Sequence, residues 1–134
     1  MNKKSHYHCV YNLRYHLVLV AKYRNNVFTN DMLKDLEEII IDVSKKWFVD
    51  MIRFNGEADH IHVLIELNPT IQPSKYICNL KTVTSRLIRK KYLSHIKQFY
   101  WGTNALWSRS YCLMTTGEAN IDVIRKYIEN QKGP

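Results

Sequence analysis

Glycine is scarce in this chain, with four in 134 residues at Gly56, Gly102, Gly117 and Gly133. They are too dispersed to build a G-x-G-x-x-G turn or a phosphate-cradling G-x-x-x-x-G-K loop, which disfavours enzymes of dinucleotides and nucleoside triphosphates. Cysteine is as rare. Cys9, Cys78 and Cys112 are odd in number, widely spaced and without a C-x-x-C pair, so neither a disulfide framework nor a thiolate zinc site is expected and all three read as buried thiols. Long apolar runs are missing too. The longest, residues 17–21, spans five positions, against the roughly 20 of a membrane-crossing helix. His6, Tyr7 and His8 stand where a signal peptide needs its apolar stretch, so a cytoplasmic location is expected. Acidic residues are the minority charge, 12 against 20 Lys and Arg, for a net +8. That excess points to a polyanionic partner. Nucleic acid ranks ahead of a membrane surface, because no basic amphipathic anchor stands out.

What is present supports one packed domain over residues 1–134, since 46% of the chain is hydrophobic. Residues 11–24 alternate in strand fashion, and residues 30–47 carry Met32, Leu33, Leu36, Ile39, Ile40 and Val43 at helical spacing behind a Thr29 or Asn30 cap. Two further strand runs, 48–54 and 59–67, flank Asn55-Gly56, which reads as a hairpin turn. Pro73 opens a helix toward Tyr92, residues 105–114 form a fourth strand run, and residues 120–131 a short terminal helix. The order β-α-β-β-α-β-α predicts an α+β, ferredoxin-like (RRM-like) antiparallel sheet with helices on one face and an added C-terminal helix.

The sharpest local signal is Asp59-His60-Ile61-His62-Val63-Leu64-Ile65. Strand alternation sends His60 and His62 to the face opposite Ile61, Val63 and Ile65. Two imidazoles so placed can grip one divalent cation, although a pair of hydrogen-bonded surface histidines is the commoner meaning of H-x-H. Mg²⁺ or Mn²⁺ would take further oxygen ligands, with Asp59, Glu66 and Gln131 as candidates, and the ligands alone leave zinc open. Gln131 lies four residues after Tyr127 and shares its helix face. Tyr127 on its own reads as a packing residue. A phenol with a pKa near 10 is a weak nucleophile unless a metal, base or positive field stabilises its anion. Basic residues gather at Arg14, Lys22 and Arg24 and again at Lys75, Lys81, Arg86, Arg89, Lys90 and Lys91. They are candidate phosphate contacts, set against the default of a solvated face. Trp101, Trp107 and Tyr111 are candidate stacking platforms for unpaired bases.

In order along the chain stand Tyr15-His16-Leu17-Val18 with Lys22-Tyr23-Arg24, Asp59-His60-Ile61-His62-Val63-Leu64-Ile65, Leu106-Trp107-Ser108 with Ser110-Tyr111, and Ile124-Arg125-Lys126-Tyr127-Ile128-Glu129-Asn130-Gln131. With these four blocks the chain resembles the small single-tyrosine HUH transposases of bacterial and archaeal insertion sequences. The resemblance implies that His60, His62 and Gln131 ligate a divalent metal, Mg²⁺ or Mn²⁺, with no nucleotide cofactor. It implies that Tyr127 opens a DNA phosphodiester to leave a 5′-phosphotyrosine and a free 3′-hydroxyl, which can later reseal the strand. The implied partners are single-stranded DNA hairpins at the element ends and a second copy of the chain, in a homodimer whose active sites are shared between subunits. Arg14, Lys22, Arg24, Lys75, Lys81, Arg86 and Arg89 are the candidates for DNA contact. Arg109, between the two serines, departs from the proline common there in the family.

Three other readings carry different tests. A host-domesticated, repeat-associated relative would keep the chemistry but lack a mobile element, so flanking palindromes and target tetranucleotides separate the two. A non-catalytic RNA- or DNA-binding ferredoxin-like module would bind in chelator without cleaving, though the aromatic strand signature of such modules is missing. A plain metal-dependent nuclease would release products with no protein-linked intermediate.

Overall fold

The computed structural model describes residues 4–6, 9–117 and 121–131. A short hairpin of β1 (Lys4–His6) and β2 (Cys9–Tyr11) precedes β3 (Leu13–Val20), a 3-10 turn (Lys22–Arg24) and α1 (Asn30–Lys46). There follow β4 (Asp50–Gly56), β5 (His60–Leu67), α2 (Pro73–Lys91), a one-turn α3 (Leu93–Ile96), β6 (Cys112–Thr115) and α4 (Ile121–Glu129). The four main strands lie in the order β4-β5-β3-β6, every pair antiparallel. This is the expected ferredoxin-like arrangement.

One face of the sheet makes the core. Leu17, Leu19, Ile61, Val63 and Ile65 are buried against Met32, Leu36 and Ile40 of α1 and Tyr76, Ile77, Leu80 and Ile88 of α2. Each such side chain contributes about 1.5–3 kcal/mol on leaving water. The helix ends follow local chemistry. Thr29 Oγ1 accepts from the Met32 amide at 3.3 Å, and Lys45 and Lys46 complement the carboxyl end of α1. Pro73 stands in the first turn of α2, where its missing N–H costs nothing.

Two local expectations, one of a turn and one of a strand, are corrected. Asn55 and Gly56 do not form the hairpin turn; they pair with His62 and Ile61 inside the ladder, and the connection falls at residues 57–59. A Cβ on Gly56 would lie 2.5 Å from Leu33 Cδ2, so this glycine admits the close approach of α1. The run 105–114 is likewise not one strand. Ala21 bridges Trp107 while Val18 pairs with Cys112, so five steps of this segment match three on β3. The two extra residues are thrown out as a bulge around Ser108–Tyr111. Cys78 is exposed and Cys112 half-buried, against the expectation of buried thiols.

Candidate active site

The second face of the sheet holds the chemistry. Register places His62 opposite Val18, which is itself opposite Cys112, and His60 opposite Val20, whose carbonyl accepts from the Ser108 amide at 2.7 Å. Neighbouring strands are about 4.8 Å apart, so the histidine pair and the bulge lie about 10 Å apart across β3. Val18 and Val20 between them are fully buried although they face away from α1 and α2.

On β5, His60 and His62 share a face as alternation requires. His60 Nδ1 lies 2.8 Å from Asp59 Oδ1, and Asp59 Oδ2 lies 3.7 Å from Arg24 Nε. Asp59 therefore orients His60, with Nε2 directed away from the carboxylate. His62 Nε2 meets His16 Nδ1 at 2.7 Å. One ring must donate and the other accept, so both cannot be cationic. Burial first, then nearby positive groups including Arg53, pushes both below the usual imidazole value. His16 carries no suggestive spacing of its own; only its place on β3 beside β5 brings it to His62.

On the far side of β3, the bulge receives α4. Ser108 Oγ donates to Gln131 Oε1 at 2.7 Å, Ser110 Oγ donates to the same oxygen at 3.0 Å, and Ser110 Oγ lies 2.7 Å from the Tyr127 hydroxyl. Tyr127 and Gln131 thus share Ser110 as a partner, but α4 ends at Glu129 and Gln131 lies in the turn that follows, its amide bonded to the Ile128 carbonyl at 3.1 Å, so the expected helix through residue 131 is two residues too long. Burial raises the Tyr127 phenol above its ordinary value, partly opposed by the Ser110 contact. The bulge is pinned from α2. Lys81 Nζ donates to the carbonyls of Ser108 at 2.7 Å, Arg109 at 3.0 Å and Ser110 at 3.5 Å. Burial lowers the Lys81 pKa.

The two halves remain separate. Among the described residues no hydrogen bond or ion pair joins His60 or His62 to Tyr127 or Gln131, and no group of three or more His, Cys, Asp or Glu side chains is placed to hold a metal. In kind the donors suit a divalent cation: two imidazoles, one carboxylate-oriented, and an amide oxygen. In this conformation the Gln131 oxygen is committed to two serines. Glu66, weighed as an oxygen donor, pairs instead with Arg14 at 3.3 Å.

The basic candidates divide. Arg14 is held by Glu66 and Lys81 by the bulge, while Arg89 donates to the carbonyls of Ala105 at 3.1 Å and Thr103 at 2.8 Å. Lys22 lies over the Tyr23 ring, Arg24 is near Asp59, and Lys75 and Arg86 are exposed. Among the aromatics, Trp101 is 83% exposed but Trp107 only 5%, and the Trp107 indole donates to Thr84 Oγ1 at 2.9 Å. Trp107 is a core residue, not a stacking platform. No helix of the described residues is long and apolar enough to cross a membrane.

Comparison with known proteins bears on fold and family. The chain is 33% identical over 122 residues to the ISDra2 transposase TnpA of Deinococcus radiodurans, covering 91% of this chain and 86% of that one. It is 28% identical over 130 residues to the transposase of insertion sequence IS200 from Salmonella typhimurium, covering 97% and 84%. Among solved structures, a candidate transposase of Deinococcus radiodurans superposes with a TM-score of 0.88 at 30% identity, covering 98% of this chain and 99% of that one. A REP-associated tyrosine transposase bound to a REP hairpin gives 0.50 at 15% identity, covering 94% and 69%, a likeness of fold alone. The family model for IS200-like transposases matches residues 9–131, and the chain belongs to that family.

Proposed function

We propose that this protein cleaves and rejoins single-stranded DNA at the ends of an insertion sequence through a 5′-phosphotyrosine on Tyr127. The observation that carries the reading is the pairing of Tyr127 and Gln131 on one bulge, about 10 Å across β3 from the two histidines of β5. His60, His62 and Gln131 would hold Mg²⁺ or Mn²⁺, which supplies polarisation of the scissile phosphate and neutralises its charge. Gln131 exchanges a serine for that role. The Tyr127 phenol gives its proton to solvent as its oxygen attacks phosphorus, the bond to the 3′-oxygen breaks, and that oxygen takes a proton from water to leave as a hydroxyl. In rejoining, a DNA 3′-hydroxyl attacks the phosphotyrosine and returns the phenol. The linkage stays an ester throughout, so no nucleotide is needed.

Hairpins at the element ends are the substrate we favour, in line with the hairpin carried by the fold-level relative. Lys75 and Arg86, exposed on α2, with Lys22 over the Tyr23 ring and Arg24 near Asp59, are the phosphate contacts left after Arg14, Lys81 and Arg89 are held internally. A homodimer sharing active sites between subunits suits α4, which has no fully buried residue, and a DNA substrate suits a cytoplasmic location. The test uses single-stranded oligonucleotides tiling the DNA on both sides of the coding sequence, with Mg²⁺. A covalent protein–DNA adduct should survive denaturation, vanish in Tyr127→Phe and in chelator, and weaken in His60→Ala. Full adduct formation by Tyr127→Phe refutes the assignment.

A further inference from the structure

The bulge that carries Ser108 and Ser110 has an internal logic that follows from counting protons. An amide oxygen only accepts, so both serine hydroxyls spend their single proton on Gln131 Oε1. Ser110 Oγ then has nothing left to donate, and the 2.7 Å contact to Tyr127 must be a bond donated by the phenol. The chain runs from the Tyr127 hydroxyl to Ser110 to Gln131, with Ser108 closing it from the other side. Neither an alcohol nor an amide oxygen is basic enough to take a phenol proton near neutral pH. The network can aim the tyrosine but cannot activate it.

Aim matters here because α4 has few other means of holding its place. It spans nine residues and none is fully buried, and an isolated helix of that length is marginal in water. The seat itself is fixed from behind. A bulge frees carbonyls from the ladder, and the ammonium of Lys81 takes three of them in succession, at Ser108, Arg109 and Ser110. A proline at position 109 would keep the carbonyl that Lys81 uses, so Arg109 leaves this clamp intact.

We propose that Ser110 is the positioning residue for Tyr127, and that Lys81 acts one step behind it by fixing the backbone that presents the serine. For its catalytic consequence this rests on Tyr127 being the nucleophile; for the seating of α4 it does not.

Hydrogen–deuterium exchange on the full chain without DNA tests the seat. In Ser108→Ala/Ser110→Ala, amides over 121–131 should exchange roughly tenfold faster while those of β5 are unchanged. Ser110→Thr, which keeps the hydroxyl, should retain the parental protection. Unchanged exchange in the double variant overturns the seat. Single-turnover adduct formation at saturating oligonucleotide tests positioning: Ser110→Ala should slow it by about tenfold to a hundredfold, with the DNA Kd within twofold, and Ser110→Thr should restore it. A parental rate, or a loss confined to DNA affinity, overturns the positioning role. Lys81→Gln should slow the step too, and Ser110→Ala added to it should cost little more; fully multiplicative losses overturn the part given to Lys81. Faster exchange in α4 together with an adduct that persists in Tyr127→Phe would leave the seat standing and remove the nucleophile.

Discussion

Asp59→Asn is the substitution that most directly interrogates the histidine half of the site. The carboxylate lies 2.8 Å from His60 Nδ1 and its other oxygen 3.7 Å from Arg24 Nε. Asparagine keeps the size and an accepting oxygen, so the change isolates the charge. Loss of an outer-shell carboxylate costs 10- to 100-fold in metal affinity. The Asp59 side chain is 21% exposed, and solvent screening moves the expectation to the lower end, about tenfold, or about 1.4 kcal/mol. Asp59→Ala removes the acceptor as well and should reach the upper end. Arg24→Ala breaks only a long, partly solvated ion pair and should stay within about fivefold. Calorimetric titration of Mn²⁺ into the full chain measures all three without requiring turnover. Equal affinity in the parent and Asp59→Ala would show that the carboxylate does not orient a ligand, and the role given to His60 would go with it.

The two tryptophans should separate cleanly. Trp107→Phe loses a buried hydrogen bond and part of a buried ring, about 2–3 kcal/mol, or a fall in Tm of roughly 10 °C by calorimetry. Trp101→Ala should leave Tm within about 2 °C, so an unchanged Tm for Trp107→Phe would remove that ring from the core. Arg86→Ala should reduce the salt slope of single-stranded DNA binding by about 0.7, whereas Arg89→Ala, which strips donors from the Thr103 and Ala105 carbonyls, should chiefly lower Tm. The reverse pattern in filter binding and melting curves would reassign both. The Tyr92 hydroxyl, then Lys91, holds the Asp35 carboxyl below its ordinary value of 3.8. Stability from this group is therefore complete above that pH and lost as the pH falls through the lower folded value. Urea titrations should show Asp35→Asn less stable than the parent at pH 7, with the gap narrowing as the pH falls below 3.8; a constant gap would refute the linkage.

The long elements were legible because their packing is periodic. Met32, Leu36, Ile40 and Val43 fall on one stripe of α1, and the alternation of Ile61, Val63 and Ile65 with His60 and His62 gives both faces of β5 without further information. Short-range signals served less well. Asn55-Gly56 carries the composition of a hairpin turn, yet the glycine is there for a contact with Leu33, distant in sequence. The expected strand through residue 24 ends at Val20 because Tyr23 and Arg24 take left-handed backbone, φ 60° and 54°, in residue types that give no warning of it. The hairpin of β1 and β2 and the single turn of α3 are too short for any period to appear.

For the site, identity and arrangement parted company. The histidine pair and the tyrosine–glutamine pair stand out as residue types at meaningful spacing, but what holds them is recorded largely in backbone. Lys81 looked like one more phosphate-seeking cation. Its partners are three carbonyls, which every residue possesses and no sequence pattern marks. Arg89 repeats the case at Thr103 and Ala105. The segment from Thr103 to Ser110 is thus fastened to α2 by two cations that a charge census assigns to DNA. The net positive charge therefore overstates the phosphate surface, since part of it maintains the loop that seats the tyrosine. Neutralising α2 indiscriminately would confuse DNA affinity with the placement of Tyr127, and only substitutions sorted by partner, exposed Lys75 and Arg86 against clamped Lys81 and Arg89, can tell the two apart.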